Sequence, residues 1–263
     1  MRIVVTGASR GIGAAVCRRL AQNRRNSGGE AGLKIALCAS RPSAELDSID
    51  AAMREAGAET LPLTGDLADP AVPPSLIERS RTAFGGLDAL VLNAGISPVA
   101  PLAELPLDGW ERVMNVNLRA VWQMAQAAHP ALKAAGGQIV TVGSMSGLHP
   151  QPGMGAYSVS KAGLIMLTRL MAQEWAADGL RVNCVSPGMV LTPMTEANYR
   201  DEDFRRRREA MCPIPRIGAP DEDIAGVVGF LLSADAGYMT GQNLVADGGL
   251  SDSILRVLPR RAG

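Results

Sequence analysis

"RIVVTGASRGIGAAV", residues 2 to 16, is a short apolar run that stops at a glycine-rich turn and resumes as helix-forming residues. Glycines stand at 7, 11 and 13, and a helix is expected from about Ile12. Glycine lets a backbone turn tightly and approach a ligand, while the first N–H groups of a helix have no intrahelical partner and suit a pyrophosphate. The spacing is G-x-x-x-G-x-G, not the G-x-G-x-x-G dinucleotide fingerprint, and no G-K-[ST] follows to make a P-loop. Placed in the first strand-to-helix unit, such a turn points to nucleotide binding.

The same rhythm continues down the chain. "LKIALCAS", "ETLPLTGD", "LDALVLNAG", "GQIVTVGS", "LRVNCVSPG" and "QNLVADGG" are short apolar runs ending in small or turn-forming residues, most of them separated by a stretch long enough for a helix. Runs apolar on both faces predict strands buried between two helix layers. The expected architecture is therefore α/β: a single-domain, doubly wound parallel sheet of Rossmann-like form, with helices on both faces over residues 1–263. The polar segment 22–32, "QNRRNSGGEAG", predicts an exposed loop. Residues 189–216 predict a lid over a substrate, and 251–263 a C-terminal tail that is either a mobile end or an oligomer contact.

With 263 residues, 47% of them hydrophobic, the chain is long enough to bury a large core. Its 26 basic and 26 acidic residues balance, so no global field recruits nucleic acid or an anionic membrane, and the expected partners are small molecules. Cys17, Cys38, Cys184 and Cys212 lack any C-x-x-C spacing, and two histidines are too few to complete a metal site with them. No metal is expected. Free thiols, the immediate entry into "IVVTG" and the lack of a membrane-length apolar run predict a cytoplasmic protein.

At the end of the second predicted strand, "CASR" lacks the Asp or Glu that would hold a free ribose 2′-hydroxyl. Ser40, Arg41 and Arg10 could instead meet a 2′-phosphate, which favours NADP (NADPH) over NAD. Farther on, "GAYSVSKAGL" sets Tyr157 four residues before Lys161, one helical turn apart.

"TGASRGIG", "GDLAD", "LNAG", "NVNL", "GSMSG", Tyr157-x-x-x-Lys161 and "SPGMVLTPM", in this order, resemble the short-chain dehydrogenase/reductase family from Ile3 to about Gly249. The resemblance implies that Gly7, Ser9, Arg10, Gly11, Ile12 and Gly13 line a diphosphate, Asp66 and Leu67 face adenine, and Asn93, Ala94 and Gly95 flank the cofactor. It puts the catalytic tetrad on Asn117, Ser144, Tyr157 and Lys161, with Tyr157 and Lys161 also touching cofactor. Pro187 and Gly188 fall near the nicotinamide and Thr192 at its carboxamide. Asn115 and Ser146 are rivals for Asn117 and Ser144; family register, including the 13-residue interval from Ser144 to Tyr157, favours the latter pair.

The implied chemistry needs these residue types. Reducing a ketone leaves charge on oxygen that a proton must meet, and an ordinary tyrosine, with a pKa of about 10, gives up its proton reluctantly. A neighbouring Lys161 ammonium, together with the positive nicotinamide of the oxidised complex, is expected to lower that pKa. Ser144 would hydrogen-bond the substrate oxygen, and Asn117 would hold a water chain from Lys161 to solvent. The expected enzyme is an NADPH-dependent ketoreductase acting on a small-molecule carbonyl. An alcohol or sugar dehydrogenase running oxidatively, a sugar-nucleotide epimerase and a noncatalytic NADP sensor are the alternatives.

The family likeness also implies a homotetramer held by helices around residues 105–135 and 157–177. It is greatest to bacterial 3-oxoacyl carrier protein reductases, yet the loop positions that dock the acidic carrier fall on Ala135 and Asp178, with Lys133 and Arg181 nearby. An acyl carrier protein is accordingly disfavoured as partner. "RRRR" at 205–208 is flanked by acids and reads as a solvated helix face. His149, Met154, Met189 and Met194 border an apolar pocket or fill core.

Overall fold

The computed structural model describes residues 1–26 and 32–253. Each apolar run noted in the sequence is a strand: β1 (Arg2–Thr6), β2 (Lys34–Ala39), β3 (Glu59–Thr64), β4 (Ala89–Leu92), β5 (Gln138–Val142), β6 (Arg181–Pro187) and β7 (Asn243–Ala246). They form one parallel sheet in the order β3-β2-β1-β4-β5-β6-β7. The helices are α1 (Gly11–Asn26), α2 (Ala44–Glu55), α3 (Val72–Phe84), α4 (Leu107–Met114), α5 (Ala120–Ala135), α6 (Ala156–Trp175), α7 (Glu202–Met211) and α8 (Ala225–Leu231).

Side chains alternate across a strand, and two cores follow. Ile3 and Val5 of β1 join Val16 and Leu20 of α1, Ile49 of α2 and Val228 of α8 on one face. Val4 between them joins Leu76 of α3, Met124 and Leu132 of α5 and Leu164 of α6 on the other. Right-handed crossovers place helices on both faces, and the chain reverses direction of travel between β1, β2 and β4. That reversal opens a crevice at the carboxyl ends of β1 and β4, the usual ligand position in such sheets.

One expectation needs correction. The segment expected as a loop over 22–32 is helical at its start, because α1 continues to Asn26; polar residues such as Gln22 and Asn23 prolong a helix on its solvent side without an apolar period, and residues 27–31 lie outside the described residues. The expected lid is partly ordered structure: Val190 bridges Gly218, and α7 fills its middle, capped by Asp201 through the amides of Asp203 and Phe204. In α7, Arg205 pairs with Glu209 and Arg206 with Glu202 and Asp203, so most of the arginine run is a solvated face. Of the expected tail, residues 254–263 lie outside the described residues.

Candidate active site

A cleft of about 380 Å³ follows the carboxyl ends of the strands. Its first wall is the turn after β1. Gly7 and Gly11 have φ of +65° and +58°, the left-handed region that L side chains rarely adopt. Gly13 is needed for a different reason: a Cβ there would lie 2.1 Å from the Gly7 carbonyl oxygen. Thr6, which the sequence reading passed over, fixes the turn against the next strand. Its hydroxyl accepts from the amides of Asn93 (2.9 Å) and Ala94 (3.0 Å), while the Asn93 side chain donates to the Thr6 carbonyl at 2.9 Å. A buried threonine at a strand end carries no sequence signal that sets it apart from core packing.

Of the residues expected at a cofactor, Gly7, Ser9, Arg10, Gly11, Ile12, Ser40, Asp66, Leu67, Asn93, Ala94, Gly95, Tyr157, Lys161, Pro187, Gly188 and Thr192 all line this cleft. Gly13 and Arg41 do not. Gly13 lies behind the turn, and Arg41 is exposed beyond its rim. Arg10 and Arg41 both act on Glu45, whose carboxyl is held below its ordinary range first by its own backbone amide and by Ser43, then by these guanidiniums. A carboxylate therefore does stand near the end of β2, in the first turn of α2. Asp66 is likewise held low, chiefly by the Ala68 amide and also by Arg112 of α4 at 3.1 Å. These glycines, amides and side chains fit a dinucleotide: a close-approach turn for its phosphates and polar groups at its ends.

The opposite end of the cleft holds Ser144, Tyr157 and Lys161. Ser144 caps the short turn after β5, its hydroxyl accepting from the Ser146 amide at 3.1 Å and meeting Tyr157. Ser146 turns away and donates to Gln151 at 2.8 Å. Lys161 is buried, with its ammonium 2.7 Å from the Val142 carbonyl and 5.8 Å from the centre of the Tyr157 ring. Burial lowers its pKa to about 8, opposed slightly by Cys184. The expected lowering of Tyr157 is not found in the protein alone: burial raises the phenol, and only the Ser144 hydrogen bond opposes it. The Lys161 ammonium, for its part, bonds the Val142 carbonyl.

Asn117 does not line the cleft; it is fully buried behind it, in a π-helical turn, Asn115–Arg119, between α4 and α5. The extra residue in such a turn breaks the α-helical register, and it recurs at functional sites. Asn117 Oδ1 accepts from the Ile96 amide and Nδ2 donates to the Ile96 carbonyl, both at 2.9 Å, and Nδ2 also donates to Ser160 at 3.1 Å. A Cβ on Gly95 would lie 3.3 Å from Asn117 Oδ1 and 3.5 Å from Lys161 Nζ, so both groups face one small space.

All four cysteines are buried, and burial pushes the Cys17 and Cys38 thiols up to about 12. Among the described residues no helix is long and apolar enough to cross a membrane, and no cluster of His, Cys, Asp and Glu could hold a metal.

Comparison with known proteins agrees with this geometry. A family model described as enoyl-(acyl carrier protein) reductase matches residues 7–251. A cis-4-hydroxycyclohexanecarboxylate dehydrogenase of Sinomonas cyclohexanicum is 39% identical over 248 residues, covering 94% of each chain. A 3beta-hydroxysteroid dehydrogenase of Eggerthella lenta is 34% identical over 251 residues, covering 95% of this chain and 93% of its own. The crystal structure of a short-chain dehydrogenase from Burkholderia cenocepacia in complex with NADP superposes with a TM-score of 0.86 at 35% identity, over 95% of this chain and 97% of that one.

Proposed function

The chain belongs to the short-chain dehydrogenase/reductase family, and on that premise we propose that it reduces a ketone to an alcohol with NADPH, Tyr157 giving the proton. The carrying observation is that Ser144, Tyr157 and Lys161 converge on one end of a cleft whose other end is the glycine turn. A bound reduced nicotinamide supplies the hydride. Ser144 and Tyr157 hydrogen-bond the carbonyl oxygen and stabilise its developing charge. The Tyr157 phenol then delivers its proton, and the Lys161 ammonium favours the phenolate left behind. Asn117 anchors Ile96 and faces the space shared with Lys161, which suits a water relay resupplying the proton. In this reading the whole chain is one catalytic domain.

Preference for NADPH rests on Ser40 and Arg10 at the cofactor's ribose end, with Arg41 just beyond, and on the lack of an acid within "CASR". Glu45 works against it, but its charge is offset by the same two arginines. Exposed Trp122 on α5 and Val159, Met166 and Leu170 on α6 support a homotetramer closed by these helices. We place the enzyme in the cytoplasm, acting on a small carbonyl compound and not on an acyl carrier protein. A panel of ketones and β-keto esters with NADPH and NADH, followed by nicotinamide absorbance, tests the reaction. Reduction with at least tenfold preference for NADPH is expected; reduction only with NADH, or oxidation of alcohols alone, contradicts it.

A further inference from the structure

Beyond the catalytic end of the cleft lies a second cavity of about 690 Å³. The two share Val190, and Met189 and Val190 directly follow Gly188 of the first. Leu148, four residues after Ser144, lines it together with Ile214 and Val245. Leu148, Ile214 and Val245 present apolar surface to the opening while Met189 and Val190 are buried beneath.

Arg216, Asp223 and Asp247 at this cavity are already engaged. Arg216 makes two 2.6 Å bonds to Asp223, and Asp223 also accepts from the Ala219 amide at 2.6 Å. Asp247 accepts from the amides of Gly249 (2.8 Å) and Ser251 (2.7 Å); burial pushes its carboxyl up, but the Ser251 hydroxyl and these amides hold it low. Exposed His149 and Asp252 complete the rim. An anionic substrate would find the Arg216 guanidinium committed and carboxylates beside it, and a polyhydroxylated one would lose hydration against an apolar wall. The volume lies within the range that encloses a drug-sized molecule.

We propose that this cavity receives the body of the substrate, and that the substrate is an uncharged ketone carrying a bulky alicyclic group of fused-ring size. The inference rests on the ketone reduction assigned above, and names what that site selects. Burying one more methylene raises affinity about fourfold at most, so trans-1-decalone, with four more carbons than cyclohexanone, should exceed it in kcat/KM at least tenfold.

The test measures kcat/KM with NADPH for cyclohexanone, trans-1-decalone and acetoacetyl-coenzyme A, and calorimetric binding of both ketones to the NADP⁺-loaded protein. Decalone is expected to lead in both. Equal or weaker performance of decalone, or a higher kcat/KM for the anionic thioester, overturns the inference while turnover of cyclohexanone leaves the assigned reaction standing. Preferential binding of decalone without any turnover supports the cavity and removes the assigned reaction. Leu148→Ser, on an exposed loop, and Ile214→Asp should each lower the decalone-to-cyclohexanone ratio at least threefold; ratios unchanged in both, in folded protein, overturn the cavity as the place of selection.

Discussion

The Lys161 ammonium lies over the Tyr157 ring, 5.8 Å from its centre, and bonds the Val142 carbonyl at 2.7 Å, so the pair shares a helix face while the cation is anchored on another element. Burial acts on both in the same sense, raising the phenol and lowering the ammonium, because it penalises each charged form. A phenol that stays protonated is what reduction requires, since it enters the reaction as a donor. Tyr157→Phe removes the hydroxyl and with it that proton. Ketone reduction should fall by about 10² or more with NADPH affinity within a few-fold of wild type; a variant keeping more than a tenth of the rate contradicts the donor role.

Lys161 should cost stability for the same reason that it serves catalysis. Its ordinary pKa of 10.5 falls to about 8 in the fold, so the unfolded chain binds the proton more tightly. The penalty is fully present below pH 8 and disappears as pH rises from 8 to 10.5, worth roughly 3 kcal/mol at most. Lys161→Met should therefore lose activity yet unfold at higher denaturant at pH 7, with the gain shrinking toward pH 10. Lower stability at pH 7, or a gain that grows with pH, contradicts the burial argument.

Gly13 and Gly11 separate steric need from conformational need. A methyl at 13 meets the Gly7 carbonyl at 2.1 Å, with no flexible side chain to yield, whereas one at 11 meets Thr192 and Pro193 at 3.6 Å and is strained only through φ. Gly13→Ala should lower the melting temperature more than Gly11→Ala and abolish NADPH binding, as nucleotide quenching of tryptophan fluorescence would report. The reverse order is evidence against the packing account.

The ribose end can be tested by charge. Arg10→Ala should weaken NADPH at least tenfold and NADH little, and Arg41→Ala should act the same way but less, because only Arg10 lines the cleft. Glu45→Gln should tighten NADPH a few-fold by removing a carboxylate that acts with both arginines. Equal changes for the two nucleotides in all three variants would dismiss a 2′-phosphate site here.

The inner strands were legible because each is buried on both faces and ends in small residues, the signature of a sheet covered twice; the edge strands β3 and β7 are partly exposed. The cleft lining was legible where glycines and a Tyr–Lys spacing are rare enough to mean something. Three features were not. The π-turn at Asn115–Arg119 depends on one inserted residue whose effect is set by tertiary packing. The bonds of Thr6 to Asn93 and Ala94 join residues 87 and 88 positions apart. The direction of the Lys161 ammonium is fixed by Val142 on another element, which no spacing along α6 reveals.

The last expectation concerns a protein partner. Asp178 follows α6 and carries the carboxylate that should repel an acidic carrier, yet it is not alone: Lys133 lies 2.5 Å and His129 2.9 Å from its two oxygens. Lys133 is thus consumed in neutralising Asp178. Arg181 is no reserve either, because its guanidinium donates to the carbonyls of Leu231 (3.1 Å) and Ala236 (2.9 Å) and to the Gln138 side chain. The corner therefore offers a near-neutral surface instead of the cationic one that steers an anionic protein to its target. An acetoacetyl carrier protein should be a poorer substrate, by kcat/KM, than an uncharged cyclic ketone, and its rate should change little between low and physiological salt. Asp178→Ala frees Lys133 and should raise the carrier's kcat/KM a few-fold at low salt only. A strong, salt-sensitive preference of the wild-type enzyme for the carrier would instead mean that docking uses cations elsewhere on the molecule.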